Sequence, residues 1–248
     1  AYVSQVSPSA LAAQIKIMNA DGTNQAEVTS VTLSRFPDWT EWECSSLSWS
    51  PDGSKIAFDD EGEIFTVNID GTNRTNLTNN HSDDIAPAWS PDGSRILFTS
   101  HRVGYLTMHT MKTDGSDVRV IPSWGYWWDV SPDWSPTGDK IVFTQLNEDF
   151  WPIIYTADTD GTNRRIFDGT GSPSAQRNKP KWSPDATKVA FHSYNYFLND
   201  REIYANNVNG TGLTQLTDTI GNNGQPSWQL ARTRQISPAA TAETKAPM

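Results

Sequence analysis

The chain has 248 residues, with 19 Lys plus Arg against 29 Asp plus Glu and a formal net charge of −10. So acidic a composition lacks the basic patch that displaces counterions from phosphate, which argues against a nucleic-acid partner. No run approaches the ~18 apolar residues of a membrane insertion, and a single cysteine, Cys44, rules out an internal disulfide framework or a cysteine-based zinc site.

From the N-terminus, Tyr2-Val3-Ser4-Gln5 reads as the end of a strand resembling Val142-Phe143-Thr144-Gln145. A second strand around Ile15 runs into Asn19-Ala20-Asp21-Gly22-Thr23-Asn24, a hairpin turn. The segment W-S-P-D-G-S-K-I-A-F follows at Trp49 to Phe58 and recurs at Trp89 to Phe98, Trp134 to Phe143 and Trp182 to Phe191. A fifth, degenerate start lies at Trp228. Pro87, Pro132, Pro180 and Pro226 each stand two residues before a repeat tryptophan.

Between these copies run Asn68-Ile69-Asp70-Gly71, Lys112-Thr113-Asp114-Gly115, Asp158-Thr159-Asp160-Gly161 and Asn207-Val208-Asn209-Gly210. Each unit therefore reads as four short strands. One ends at the tryptophan, a Pro-Asp-Gly turn leads to the K-I-A-F strand, and a third strand ends at the Asp-Gly hairpin that opens the fourth. A four-stranded unit repeating every ~40–45 residues is the signature of a β-propeller blade. Proline belongs on an edge strand, and the innermost strand of a blade is such an edge. The repeat tryptophans are expected to be core, wedged between blades.

The expected fold class is all-β, a propeller of four-stranded antiparallel blades, five in number with split-blade (3+1) closure. Val3 to Ile15 is the same interval as Phe191 to Ile203, so the N-terminus supplies strands two to four of a blade whose first strand is Gln225 to Trp228. Residues 1–230 form the propeller, and residues 231–248 form an Ala/Thr/Pro-rich tail or linker.

The W-S-P-D-G-S-K-I-A-F and D-G-T-N motifs resemble the TolB-like family of propellers, relatives of the WD-type propellers, over residues 1 to about 230. One departure is the blade count, since TolB-like propellers usually have six. The resemblance implies a scaffold shared with bacterial periplasmic binding proteins, and similar propellers occur in polysaccharide lyases. An extracytoplasmic location, secreted or periplasmic, is expected.

Of the 11 tryptophans, five occupy repeat positions. Trp39, Trp42, Trp124, Trp127, Trp128 and Trp151 fall in connections of the single face where strand two meets strand three and strand four meets the next strand one. Tyr126, Tyr194 and Tyr196 join them, as do Tyr105, Phe150 and Phe197. Large apolar groups gathered on one face mark an interaction surface. His81, His101 and His192 fall on the same face, the last in a connection expected to run from His192 to Glu202. His109 aligns with Phe65, Tyr155 and Tyr204 and reads as a structural ring.

The leading expectation is a non-catalytic module recognising a glycan or a partner protein. A lyase would assemble one of the three face histidines with Gln145, Arg102, Tyr194 or Arg201. A third reading is a structural subunit of a surface assembly. The sequence assigns no cofactor, no metal and no catalytic residue, since no recognised catalytic motif is present.

Overall fold

The computed structural model describes residues 2–5, 12–19, 21–32, 46–123, 125, 127–149, 151–167, 175–195 and 200–218. These residues form antiparallel strands and no helix. A three-stranded N-terminal sheet comprises β1 (Tyr2–Gln5), β2 (Ala12–Ile17) and β3 (Ala26–Thr32). Four complete blades follow in chain order. Blade 1 is β4 (Leu47–Trp49), β5 (Lys55–Asp60), β6 (Glu63–Asn68) and β7 (Thr75–Asn76). Blade 2 is β8 (Asp84–Trp89), β9 (Arg95–Ser100), β10 (Thr107–Lys112) and β11 (Arg119–Val120). Blade 3 is β12 (Trp128–Trp134), β13 (Lys140–Leu146), β14 (Pro152–Asp158) and β15 (Arg165–Ile166). Blade 4 is β16 (Ala175–Trp182), β17 (Lys188–Asn195), β18 (Asp200–Asn207) and β19 (Thr214–Gln215). The segment expected to close a fifth blade, Gln225 to Trp228, and the tail at 231–248 lie outside the described residues.

The K-I-x-F strand builds the core by simple alternation. Ile56 and Phe58 face the N-terminal sheet and pack with Ala13, Ile15 and Val28. Ala57, between them, faces blade 2 and packs with Ile96 and Phe98. The same alternation fills the seam between blades 2 and 3, where Leu97 meets Ile141 and Phe143. It also fills the seam between blades 3 and 4, where Val142 meets Val189 and Phe191. His109 packs at a tilt on Phe98 with ring centroids 5.7 Å apart, in the place where Tyr155 stacks on Phe143 and Tyr204 on Phe191.

The prolines stand on the innermost strands β8, β12 and β16, each at a sheet edge. Every one occupies a bulge. The residue before it, Ala86, Ser131 or Lys179, has φ of 55°, 52° or 53°, and the pairing register slips at that point. At the outer end of strand three, Gly71 (φ 83°) takes the left-handed position of the Asp-Gly turn. Its Cα packs so close to β3 that an added Cβ would lie 2.7 Å from the Val28 carbonyl oxygen. Asp70 Oδ1 secures the turn by accepting from the Thr72 N–H at 3.0 Å and the Thr72 hydroxyl at 2.6 Å.

Two expectations need correction. The N-terminal register differs by one residue. Tyr2 pairs with Lys16, which stands six residues before its turn glycine as Tyr155 does, so Tyr2 and not Val3 occupies the column of Phe143. The repeat tryptophans also differ in burial. Trp182 is 8% exposed, whereas Trp49 is 41% exposed. Trp182 rests on Val142, Ile154 and Phe167 of the preceding blade. By the corrected register the counterpart of Val142 falls at Ala1, outside the described residues.

Candidate functional site

The two ends of the blades are chemically unlike. At one end the Pro-Asp-Gly and Asp-Gly-Thr turns are short and self-bonded. Ser50, Ser90 and Ser183 hydroxyls donate to Asp52, Asp92 and Asp185, and these bonds hold Asp52 and Asp185 down to about 2. At the other end the connections between strands two and three range from Glu61-Gly62 in blade 1 to residues 101–106 in blade 2.

Ion pairs to buried aspartates anchor that second end. Arg102 bonds Asp84 at 2.7 Å, Arg164 bonds Asp129 at 2.9 Å with both side chains fully buried, and Arg74 bonds Asp60. Each guanidinium also stands over the phenylalanine of its own K-I-x-F strand, at 5.7 Å from Phe98, 4.8 Å from Phe143 and 5.4 Å from Phe58. Gln145 donates to Asp129 at 2.8 Å and is thereby committed to the same anchor. The loop from Asn147 to Trp151 is tied by the Asn147 carboxamide oxygen, which accepts from the Trp151 N–H at 2.7 Å.

On this frame Trp127 is 38% exposed, and Trp151, Tyr105 and Tyr194 are half-buried. His81 and His101 are exposed, and the His101 N–H donates to the Asp83 carbonyl at 3.0 Å, which brings the two histidine segments to one edge of blade 2. Trp39, Trp42, Trp124, Tyr126 and Tyr196 lie outside the described residues, as do Phe150 and Phe197.

The expected loop positions of Trp128, His192 and Tyr194 are corrected. Trp128 opens β12 and pairs with Leu146. His192 and Tyr194 are residues of β17, because the hairpin β17–β18 continues in register to Asn195↔Asp200 and leaves only 196–199 as a connection. Arg201 lies 6.0 Å over the Tyr194 ring, cross-strand from it.

Sequence reasoning missed a polar ring around the middle of the fold. Asp59, Thr99, Thr144 and His192 each follow the strand-two phenylalanine, and all four are buried. Asp59 accepts from the N–H of Ser46 at 3.2 Å and of Ala86 at 3.3 Å, joining the innermost strands of blades 1 and 2. Burial pushes its carboxyl up to about 7, against those two bonds and the Lys179 charge reaching it from blade 4. Burial, with Lys179 and Arg201 nearby, pushes His192 down to about 3, so its imidazole is neutral at pH 7. The available signal was the residue after each K-I-x-F, polar in every copy.

Four-stranded blades packed face to face through a periodic Ile/Phe/Trp core define the class as a β-propeller. Residues 40–175, more than half of the chain, match the TolB beta propeller domain family, and the chain belongs to that family. An uncharacterized protein of Agrobacterium fabrum is 33% identical over 157 residues, which span 59% of this chain and 53% of that protein. The crystal structure of TolB from Acinetobacter baumannii superposes with a TM-score of 0.70 at 22% identity, over 88% of this chain and 52% of that one. An oligogalacturonate lyase in complex with manganese shares the fold, with a TM-score of 0.56 at 14% identity over 83% of this chain and 59% of that one. The chain thus spans about half the length of the curated relative and of the TolB structure.

Proposed function

We propose that this propeller is a protein-binding module whose contact surface is the end carrying the long connections. The observation that carries this is the asymmetry between its ends. One has uniform turns whose polar groups bond each other, and the other has aromatic side chains on loops anchored by ion pairs to buried aspartates. Preorganised aromatics at the rim of a rigid scaffold provide large contact area at low ordering cost, which is how interface hot spots work. Membership of a family that includes periplasmic binding proteins supports this reading and an extracytoplasmic location. A glycan partner at this end is the second chemistry the aromatic faces allow, but the half-buried settings of Trp151 and Tyr194 favour a protein surface over a flat sugar platform. Likeness to the lyase is at the level of fold, and fold alone does not transfer activity.

The test uses the full chain as bait against an extracytoplasmic extract of its source. Trp127→Ala and Tyr194→Ala should each cut recovery of the captured partner by roughly thirtyfold in affinity, the effect of losing a hot-spot aromatic. Val120→Ser, on the outer rim, should leave it unchanged. Loss with the rim variant but not with the face variants would overturn the proposal.

A further inference from the structure

Exposed charge is divided unevenly between the two ends of the propeller. At the short turns Lys55, Arg95, Lys140 and Lys188 open their strand-two segments and Lys112 closes β10, so cations stand among the turn aspartates. At the opposite end the connections include 61–62, 77–83, 101–106, 121–127 and 147–151. Among their described residues there is no lysine, and Arg102 is the one arginine, bonded to the buried Asp84. Glu61, Asp83, Glu148 and Asp149 are exposed there, and none of the four joins an ion pair among the described residues. The neighbouring guanidiniums are engaged, Arg74 with Asp60, Arg164 with Asp129, and the half-buried Arg201 over the Tyr194 ring.

Backbone hydrogen bonds join these connections into one surface. The Asp84 N–H donates to the Gly62 carbonyl at 2.7 Å, the His101 N–H to the Asp83 carbonyl at 3.0 Å, and the Asp129 N–H to the Leu106 carbonyl at 3.0 Å. Trp128 pairs with Leu146, which brings Trp127 alongside the connection that starts at Asn147. A ridge therefore runs from Glu61 past Asp83 and Val103 to Trp127 and Glu148. Its apolar points are exposed as well, Val103 by 45% and Trp127 by 38%.

We propose, on the protein-binding reading above, that the partner of this surface presents a segment rich in lysine or arginine. The apolar stems of such side chains can lie on Val103 and on the exposed part of Trp127, while their cationic heads reach Asp83, Glu148 and Asp149. A cation over the Trp127 indole gains from the negative face of the ring as well. A partner with an acidic contact surface would meet like charge along the whole ridge. The short-turn end, where both signs are mixed, offers no such preference.

The probe is a fluorescein-labelled Gly/Ser peptide bearing several Arg and Leu residues, with a second peptide in which Glu replaces every Arg. Fluorescence anisotropy with the full chain should show saturable binding of the first and none of the second. Raising the ionic strength from about 0.01 to 0.1 M, which shortens the Debye length from ~30 to ~10 Å, should weaken that binding. Asp83→Asn, Glu148→Gln and Asp149→Asn combined should weaken it about tenfold, roughly twofold for each rim charge. Asp70→Asn, Asp114→Asn and Asp160→Asn combined change the net charge equally at the other end and should leave it unchanged. Asn209 already fills that turn position, and its Oδ1 accepts from Thr211 as Asp70 accepts from Thr72, so the control variant keeps its turns. No binding of the cationic peptide, equal binding of both peptides, or equal loss with the two triple variants would overturn the proposal. With the captured partner itself, loss of affinity on Trp127→Ala but not on the acidic-ridge variant would reject a basic partner and leave the surface standing. Loss on neither would reject the surface.

Discussion

Asp59 and His192 make opposite demands on pH, and single substitutions separate them. The folded-state pKa of Asp59 lies near 7, above its ordinary 3.8, so the stability linked to its proton is full below pH 3.8 and is lost as pH rises through 7. His192 is depressed from 6.5 to about 3, so the stability linked to its neutral ring is full above pH 6.5 and is lost as pH falls toward 3. Between about pH 4 and 6.5 these slopes oppose each other. Asp59→Asn retains a carbonyl oxygen for the Ser46 and Ala86 N–H groups and removes the first slope. Its unfolding free energy from urea titration should therefore climb from pH 4.5 to 6.5, whereas that of His192→Gln should fall, each by on the order of 1–2 kcal/mol. Parallel profiles for the two variants would show that these groups do not control the pH response.

The tryptophans supply a second test on the same scale. Trp182→Ala should cost ~3–5 kcal/mol, the range for truncating a buried aromatic. Trp49→Ala should cost less, since 41% of that residue is exposed. Guanidinium midpoints of the two variants give the ranking directly, and equal losses would mean that Trp49 is as buried in solution as Trp182.

Among the elements, the Asp-Gly turns add close contacts between sheets to the packing of the strands. Gly71→Ala must place a Cβ against the Val28 carbonyl at a φ of 83°, and should lose at least about 2 kcal/mol from strain and displacement together. Gly22→Ala has the same sign of φ but open space around it, and should cost only about 1 kcal/mol. Thermal unfolding of both variants distinguishes a turn that packs between sheets from one that merely reverses the chain. Blade architecture was legible at this scale because W-S-P-D-G-x-K-I-x-F fixes a turn, a strand and two buried faces in ten residues. The N-terminal register was less so. Tyr2 and Val3 both suit a strand, and only the pairing with Lys16 decides between them. The β17–β18 hairpin was read as a loop because His192, Ser193 and Tyr194 look polar, although their cross-strand partners continue the ladder to Asp200.

Over the whole molecule, sequence pattern revealed which end of the propeller is variable but not what stabilises it. Arg74 and Arg164 both end a D-G-T-N-R turn, and Asp84 and Asp129 both stand five residues before a repeat tryptophan, but the partners are exchanged between blades, Arg74 taking Asp60, Arg102 taking Asp84 and Arg164 taking Asp129, so the repeat alone does not announce the pairs. Trp127, Trp151 and Tyr105 lie in connections that strand order alone assigns to one end, whereas Tyr194 lies within β17. The most direct measurement is a hydrogen–deuterium exchange footprint of the captured partner on the full chain. The account predicts protection at residues 101–106, 127–129 and 147–151, with the Pro-Asp-Gly and Asp-Gly-Thr turns unchanged. Protection confined to those turns, with the long connections exchanging as in the free protein, would contradict it.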